Sequence, residues 1–181
     1  MARPTINLPP LSAARPEEIL LPVKTWFVLL TLLFALLLNL LPWSGVWLAI
    51  KPDFLALVLL YWCIQQPRLV GVGTAWVCGL LMDVGQGALF GQHALAYSLL
   101  GFAAEYFHRR VLRFPLWQQA AHVAMLLVLC MLLVLLVRIA GGAAPAEWAN
   151  FLGTISGALL WPLTSIVLQW PQRPPPSPGE R

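Results

Sequence analysis

The chain has 181 residues, eleven of them basic and seven acidic, and 60% are apolar. Charged side chains make up 10%, against about a quarter in soluble globular domains, so a soluble domain is excluded. A net charge of +4 scattered among long apolar runs offers no basic stripe for phosphates and excludes nucleic-acid binding, leaving a polytopic membrane protein.

Residues 1–22 hold Pro4, Pro9, Pro10, Pro16 and Pro22 among Arg3, Arg15, Glu17 and Glu18, too interrupted for a packing helix, and read as a short cytoplasmic tail. A transmembrane domain is expected over 23–168. Its first run, Val23 to Leu41, has no small-x-small cleavage pattern before Pro42-Trp43 and reads as an uncleaved first helix. Next come Val46 to Ile50, the break Lys51-Pro52-Asp53, and Phe54 to Ile64. That last piece rises only about 16 Å, short of a hydrocarbon core of about 30 Å. Either Val46 to Ile50 extends it as a kinked helix, or those residues lie at the interface while protein shelters the short helix.

The third run is Val70 to Val84 and the fourth about Ala88 to Ala104, with the turn Asp83 to Gly87 between them. The fifth, Trp117 to Ile139, is apolar all round from Met125 to Val137, as a lipid-facing helix would be. The sixth runs from Trp148 to Leu168, and 169–181 reads as a Pro-rich cytoplasmic tail. With the N-terminus cytoplasmic, only Lys51 and Arg138 among the eleven basic residues fall in outer loops. A re-entrant hairpin for the second and third runs would place Arg68 in hydrocarbon at a cost of a few kcal/mol. The expectation is an all-α bundle of six transmembrane helices with both ends inside.

On this topology Asp83 lies about 20 Å along its helix, His93 about 8 Å below the outer end, and Asn39 about 22 Å into the first helix, all in the outer third. An ionisable residue at membrane depth needs a partner or water, so Asp83 is expected to face the interior near His93. Asp83 has three open readings: a structural carboxylate, a contact to a partner or small ligand, or a proton relay. Catalysis ranks last, because one Asp and one His lack a nucleophile or second metal-binding carboxylate. No metal or cofactor motif occurs. Cys63, Cys78 and Cys130 sit in apolar runs and read as small buried hydrophobes.

Glu105 and Arg109, four apart, can pair at the inner end of the fourth helix. His122, beside Gln118 and Gln119, reads as interfacial, and His108 as part of a cytoplasmic loop. The run with Arg109, Arg110 and Arg113 reads as a topology determinant touching anionic headgroups, with a dock for a cytoplasmic partner as the alternative. Gly87-x-x-x-Gly91 and Gly153-x-x-x-Gly157 mark candidate close helix contacts.

Lys51-Pro52-Asp53-Phe54 leading into Leu57 to Trp62, and the stretch from Gly79 to Tyr97, resemble the rod shape-determining protein MreD family. In that stretch an Asp ends one span, glycines fill the turn, and Gly91-Gln92-His93-Ala94-Leu95 opens the next. The resemblance covers roughly residues 24 to 140; the Pro-rich ends depart from it. It implies a non-enzymatic subunit of the cell-elongation machinery in the bacterial cytoplasmic membrane. Its partners would be MreC and, through it, MreB, RodA and a class-B penicillin-binding protein. The implied fold resembles the six-helix substrate-binding (S) components of energy-coupling-factor transporters. By the same resemblance Asp83, Gly85, Gly91 and His93 shape the outer end of the third and fourth helices, and Pro52 and Asp53 set the start of the second.

A compact bundle with little mass outside the membrane must interact mostly helix on helix. The glycine faces and the Leu-rich first helix are therefore the expected docking surfaces. The alternative is a solute-binding or transport component with Asp83, His93 and Asn39 lining a pocket open to the periplasm.

Overall fold

The computed structural model describes residues 23–142 and 149–172. Residues 1–22 and 173–181, most of the two expected tails, lie outside the described residues, as does Trp148. Among the described residues the architecture is all helical: α1 (Thr25–Leu40), the short α2 (Val46–Ile50), α3 (Phe54–Gln65), α4 (Val72–Gln86), α5 (Gln92–Val111), α6 (Leu116–Ala140) and α7 (Ala149–Gln169). A 3₁₀ turn, Trp170–Gln172, continues α7. The packed body thus extends past Leu168, where a tail was expected, because Gln172 is buried and donates to the Leu168 carbonyl at 2.7 Å.

Three stretches are long and apolar enough to cross a membrane: Val46–Gln65, Leu116–Ala140 and Phe151–Gln172. α1 is apolar but has 16 residues, and α4 has 15, rising about 22 Å. α5 is long enough, but its second half carries Glu105, Arg109 and Arg110.

The second segment answers the length problem by both expected routes. Pro52 has no N–H to donate and pushes Lys51 to extended backbone, so the helix breaks between α2 and α3. α2 lies on α7, where the Ser156 hydroxyl donates to the Ile50 carbonyl at 2.6 Å, and Trp47 and Leu48 are left exposed. α3 occupies the centre, touching α1, α5, α6 and α7. From Leu55 to Ile64 every side chain but Val58 is at most 2% exposed. Tyr61, Trp62 and Trp161 fill this core, with Tyr61 and Trp62 edge to face at 5.0 Å.

The remaining helices follow amphipathic logic turned inside out. α1 buries Val28, Leu32, Ala35 and Asn39, a stripe at helical spacing, against α3. α4 buries Ala75, Cys78, Gly79, Met82 and Asp83 on one side and packs as an antiparallel hairpin on α5. A Cβ at Gly79 would strike the Ala94 backbone, so the glycine permits this approach. All three cysteines are free and buried.

Several local expectations are corrected. Gly87 and Gly91 are not a helix-packing pair: they end α4 and begin α5 with φ of +60° and +97°, conformations glycine adopts without strain. Gly153 and Gly157 do pack, but internally, against the Lys51 carbonyl and against Leu127 and Pro52. His108 is in the last turn of α5 with Arg109 and Arg110, not in a loop; cations there suit the negative end of the helix dipole. Glu105 and Arg109 form no ion pair. The Glu105 carboxylate lies instead over Gly71, within 2.6 Å of where a Cβ would stand.

The polar cluster at the Asp53 and Asp83 end

Asp83, on the last turn of α4, is 1% exposed. A carboxylate buried this way is stable only if its lone pairs are filled, and four bonds fill them. The amides of Gly91 (2.9 Å), His93 (2.8 Å) and Ala94 (3.3 Å) donate to it, as does the His93 ring Nδ1 at 2.8 Å. The first turn of α5 has orphan N–H groups and no capping side chain of its own, and Asp83 supplies the cap from the neighbouring helix. The positive end of the α5 dipole adds to the attraction. An ionised carboxylate only accepts, so towards it the His93 Nδ1 is the donor.

The second carboxylate, Asp53, caps α3. Its Oδ1 accepts from the Ala56 amide at 3.0 Å and from Asn39 Nδ2 at 2.7 Å, and its Oδ2 from the Tyr97 hydroxyl at 2.6 Å. Asn39 completes the knot: its Oδ1 accepts from the Phe54 amide at 3.1 Å, and its carbonyl accepts from Lys51 Nζ at 2.5 Å. α1, α3 and α5 are thereby tied together by one carboxylate and one amide. The edge-to-face contact of His93 and Tyr97, 5.8 Å apart on successive turns of α5, joins the two knots.

The structure therefore brings Asn39, Asp53, Asp83 and His93 to one end of the bundle, with Pro52 and Gly91 beside them. Gly85 stands apart, on the face of α4 where a Cβ would meet Leu40. Arg109, Arg110 and Arg113 lie at the opposite end, exposed and in no ion pair. In the sequence Tyr97 only closes the stretch that resembles the family, although its spacing of four from His93 puts both on one helix face. Lys51 stands there in the Lys51-Pro52-Asp53-Phe54 motif and as a topology marker, and Arg138 as a topology marker alone.

A cleft of about 330 Å³ opens beside the cluster, lined among others by Asn39, Lys51, Asp53, His93 and Arg138. Asp83 is not in its wall; it lies behind His93. Towards the opposite end His122 follows its expectation of an undemanding polar residue, bonding to the Gln118 carbonyl at 2.9 Å and stacking on Phe114. Among the described residues no three His, Cys, Asp or Glu side chains group as a metal site.

Apolar helices packed on a buried central helix, with polar groups satisfying one another, define a membrane protein held by interior helix caps. The model of a family described as rod shape-determining protein MreD matches residues 22–170. Rod shape-determining protein MreD of Haemophilus influenzae is 31% identical over 148 residues, covering 81% of this chain and 91% of its own length. No solved structure matches significantly. The chain belongs to the rod shape-determining protein MreD family, which is structural; it is not an enzyme.

Proposed function

We propose that the chain is the inner-membrane scaffold of the bacterial cell-elongation complex, crossing the membrane six times with both ends cytoplasmic. In this reading it binds the single helix of MreC and, through MreC, couples MreB filaments to RodA and a class-B penicillin-binding protein. Family membership supports a role in rod shape. The alternation of α1 and α3 to α7 supports six spans with cytoplasmic arginines, and a topology like that of the energy-coupling-factor S components is part of the same proposal.

The observation that carries the docking part is the distribution of unpartnered surface. Both glycine pairs are occupied, one in a turn and one against Lys51, Leu127 and Pro52. α1 keeps a continuous apolar face, with Leu29, Leu30, Leu33, Phe34 and Leu37 all more than half exposed; α7 has another, at Ile155, Leu159, Leu163 and Val167, and the Leu-rich face of α1 is the one assigned here. Helices in lipid associate by packing and a few hydrogen bonds, and such a face suits a partner's single helix.

The test is cross-linking from single cysteines placed along α1, α6 and α7 in a chain carrying Cys63→Ala, Cys78→Ala and Cys130→Ala. Adducts to MreC from positions 29, 33 and 37 with none from α6 or α7 are expected. The opposite pattern overturns the α1 assignment, and rod-shaped cells with normal MreC after depletion overturn the scaffold. A second reading, a solute-binding component with a periplasm-facing pocket, is favoured by the cleft, although Asp83 is absent from its lining.

A further inference from the structure

The cleft is built for an amphiphile. Its rim carries Lys51 and Arg138, which the alternation of helices puts together at the end of the bundle away from Lys24, Arg68, Arg109, Arg110 and Arg113. Every basic residue described at that end therefore faces one cleft. Among the described residues Arg138 forms no ion pair, and Lys51 uses one of its three donors on the Asn39 carbonyl. Asp53, in the same wall, is held by the neutral donors of Asn39, Ala56 and Tyr97 and acts on Lys51 through space, which leaves one cation in excess in the cleft. The wall is mixed: Leu48 of α2 with Leu127, Met131 and Val134 of α6 form an apolar side, and Asn39, Gln92 and His93 a polar one.

Cationic donors in excess of the one acid, beside an apolar side on α6, match a phosphate joined to a hydrocarbon chain. We propose that this cleft binds the phosphate of an anionic lipid between Lys51 and Arg138, with an acyl chain against α6. Guanidinium and ammonium donors form charge-assisted bonds to phosphate oxygens that a neutral lipid cannot accept with equal strength. This ligand deepens the solute-binding reading by naming a lipid as the solute. It does not depend on where MreC docks, which the cross-links test separately.

The experiment is native mass spectrometry of the full chain in dodecyl maltoside, titrated in parallel with phosphatidylglycerol, diacylglycerol and inorganic phosphate. Phosphatidylglycerol is expected to be retained over diacylglycerol, with retention falling roughly tenfold in Arg138→Gln, the loss of one charge-assisted contact. Val134→Trp, which fills the wall, is expected to abolish retention, and Arg113→Gln at the other end to leave it unchanged. Because Arg138 is exposed and holds nothing in the fold, its variant tests the site even if Val134→Trp fails to assemble. Equal retention of diacylglycerol, or equal loss in Arg113→Gln and Arg138→Gln, overturns the proposal as attraction of a general kind. Inorganic phosphate bound as tightly as phosphatidylglycerol overturns the lipid assignment in favour of a free anion.

Discussion

α3 and α6 are both unbroken apolar helices, yet they occupy opposite environments. In the span that contains α3, 56% of the most apolar 18 residues are buried, against 22% in α6. Over its own residues α3 is at least as apolar as α6, so apolarity does not decide which of them is buried. In water both would be driven inside, because burial there follows apolar area. In lipid a leucine gains little on leaving the tails for the protein interior, so what decides position is packing and hydrogen bonding. α3 brings Tyr61, Trp62 and the Asp53 cap, each needing a partner that only protein supplies, whereas α6 beyond Cys130 is almost wholly aliphatic apart from Arg138.

The sharpest test of this contrast compares truncations of each helix. Trp62→Ala removes a fully buried ring and its 2.9 Å bond to the Thr31 hydroxyl. It is expected to destabilise the purified protein by about 4 kcal/mol in a reversible detergent-unfolding titration. Leu136→Ala, on the exposed face of α6, is expected to cost under about 0.5 kcal/mol, because lipid fills the space. Equal losses would break the comparison.

α4 repeats the contrast within one helix. Gly79→Ala drives a methyl into the α5 backbone and is expected to cost about 3 kcal/mol, while Gly73→Ala meets nothing within 4 Å and is expected to be neutral or stabilising by up to about 1 kcal/mol. Next in size is Asp53→Ala, which leaves Asn39, Tyr97 and the Ala56 amide without their acceptor. A loss of about 2 to 3 kcal/mol is expected, with Asp53→Asn milder because one oxygen remains.

How much of this was legible follows from what pattern encodes. Helix positions were legible to within a few residues, since apolar length and Pro or Gly breaks set them. The meeting of Asp83 with His93 was legible too, because depth along two antiparallel helices is simple arithmetic. The central place of α3 was not, as hydropathy cannot separate protein from lipid. Gly87 and Gly91 were misread because a four-residue spacing means a packing face in a helix and nothing of the kind in a turn. The knot of Asn39, Asp53 and Tyr97 joins positions up to 58 apart in the chain, and no local period reports such contacts. Arg138 looked like a mere topology marker because a cleft between α2, α6 and α7 exists only after packing.

The smallest effect is the most discriminating. Thr31 is half-buried on α1 and donates to the Val28 carbonyl at 2.8 Å while accepting from Trp62 Nε1. Thr31→Val keeps the side chain's size and branching, so the packing of α1 on α3 is unchanged and only the hydroxyl's two hydrogen bonds are lost. If burial of α3 rests on satisfied polar groups, the orphaned indole N–H costs about 1 kcal/mol in the same unfolding titration. It also exposes the amides of α3 to faster hydrogen exchange than those of α6. Should Thr31→Val prove neutral, shape alone holds α3 in place, and Trp62→Phe, which shrinks a fully buried ring, must then still carry a packing cost. Thr31→Ser restores the hydroxyl without the methyl and is expected to recover most of the loss, assigning the effect to the hydrogen bond rather than to the fit between the helices.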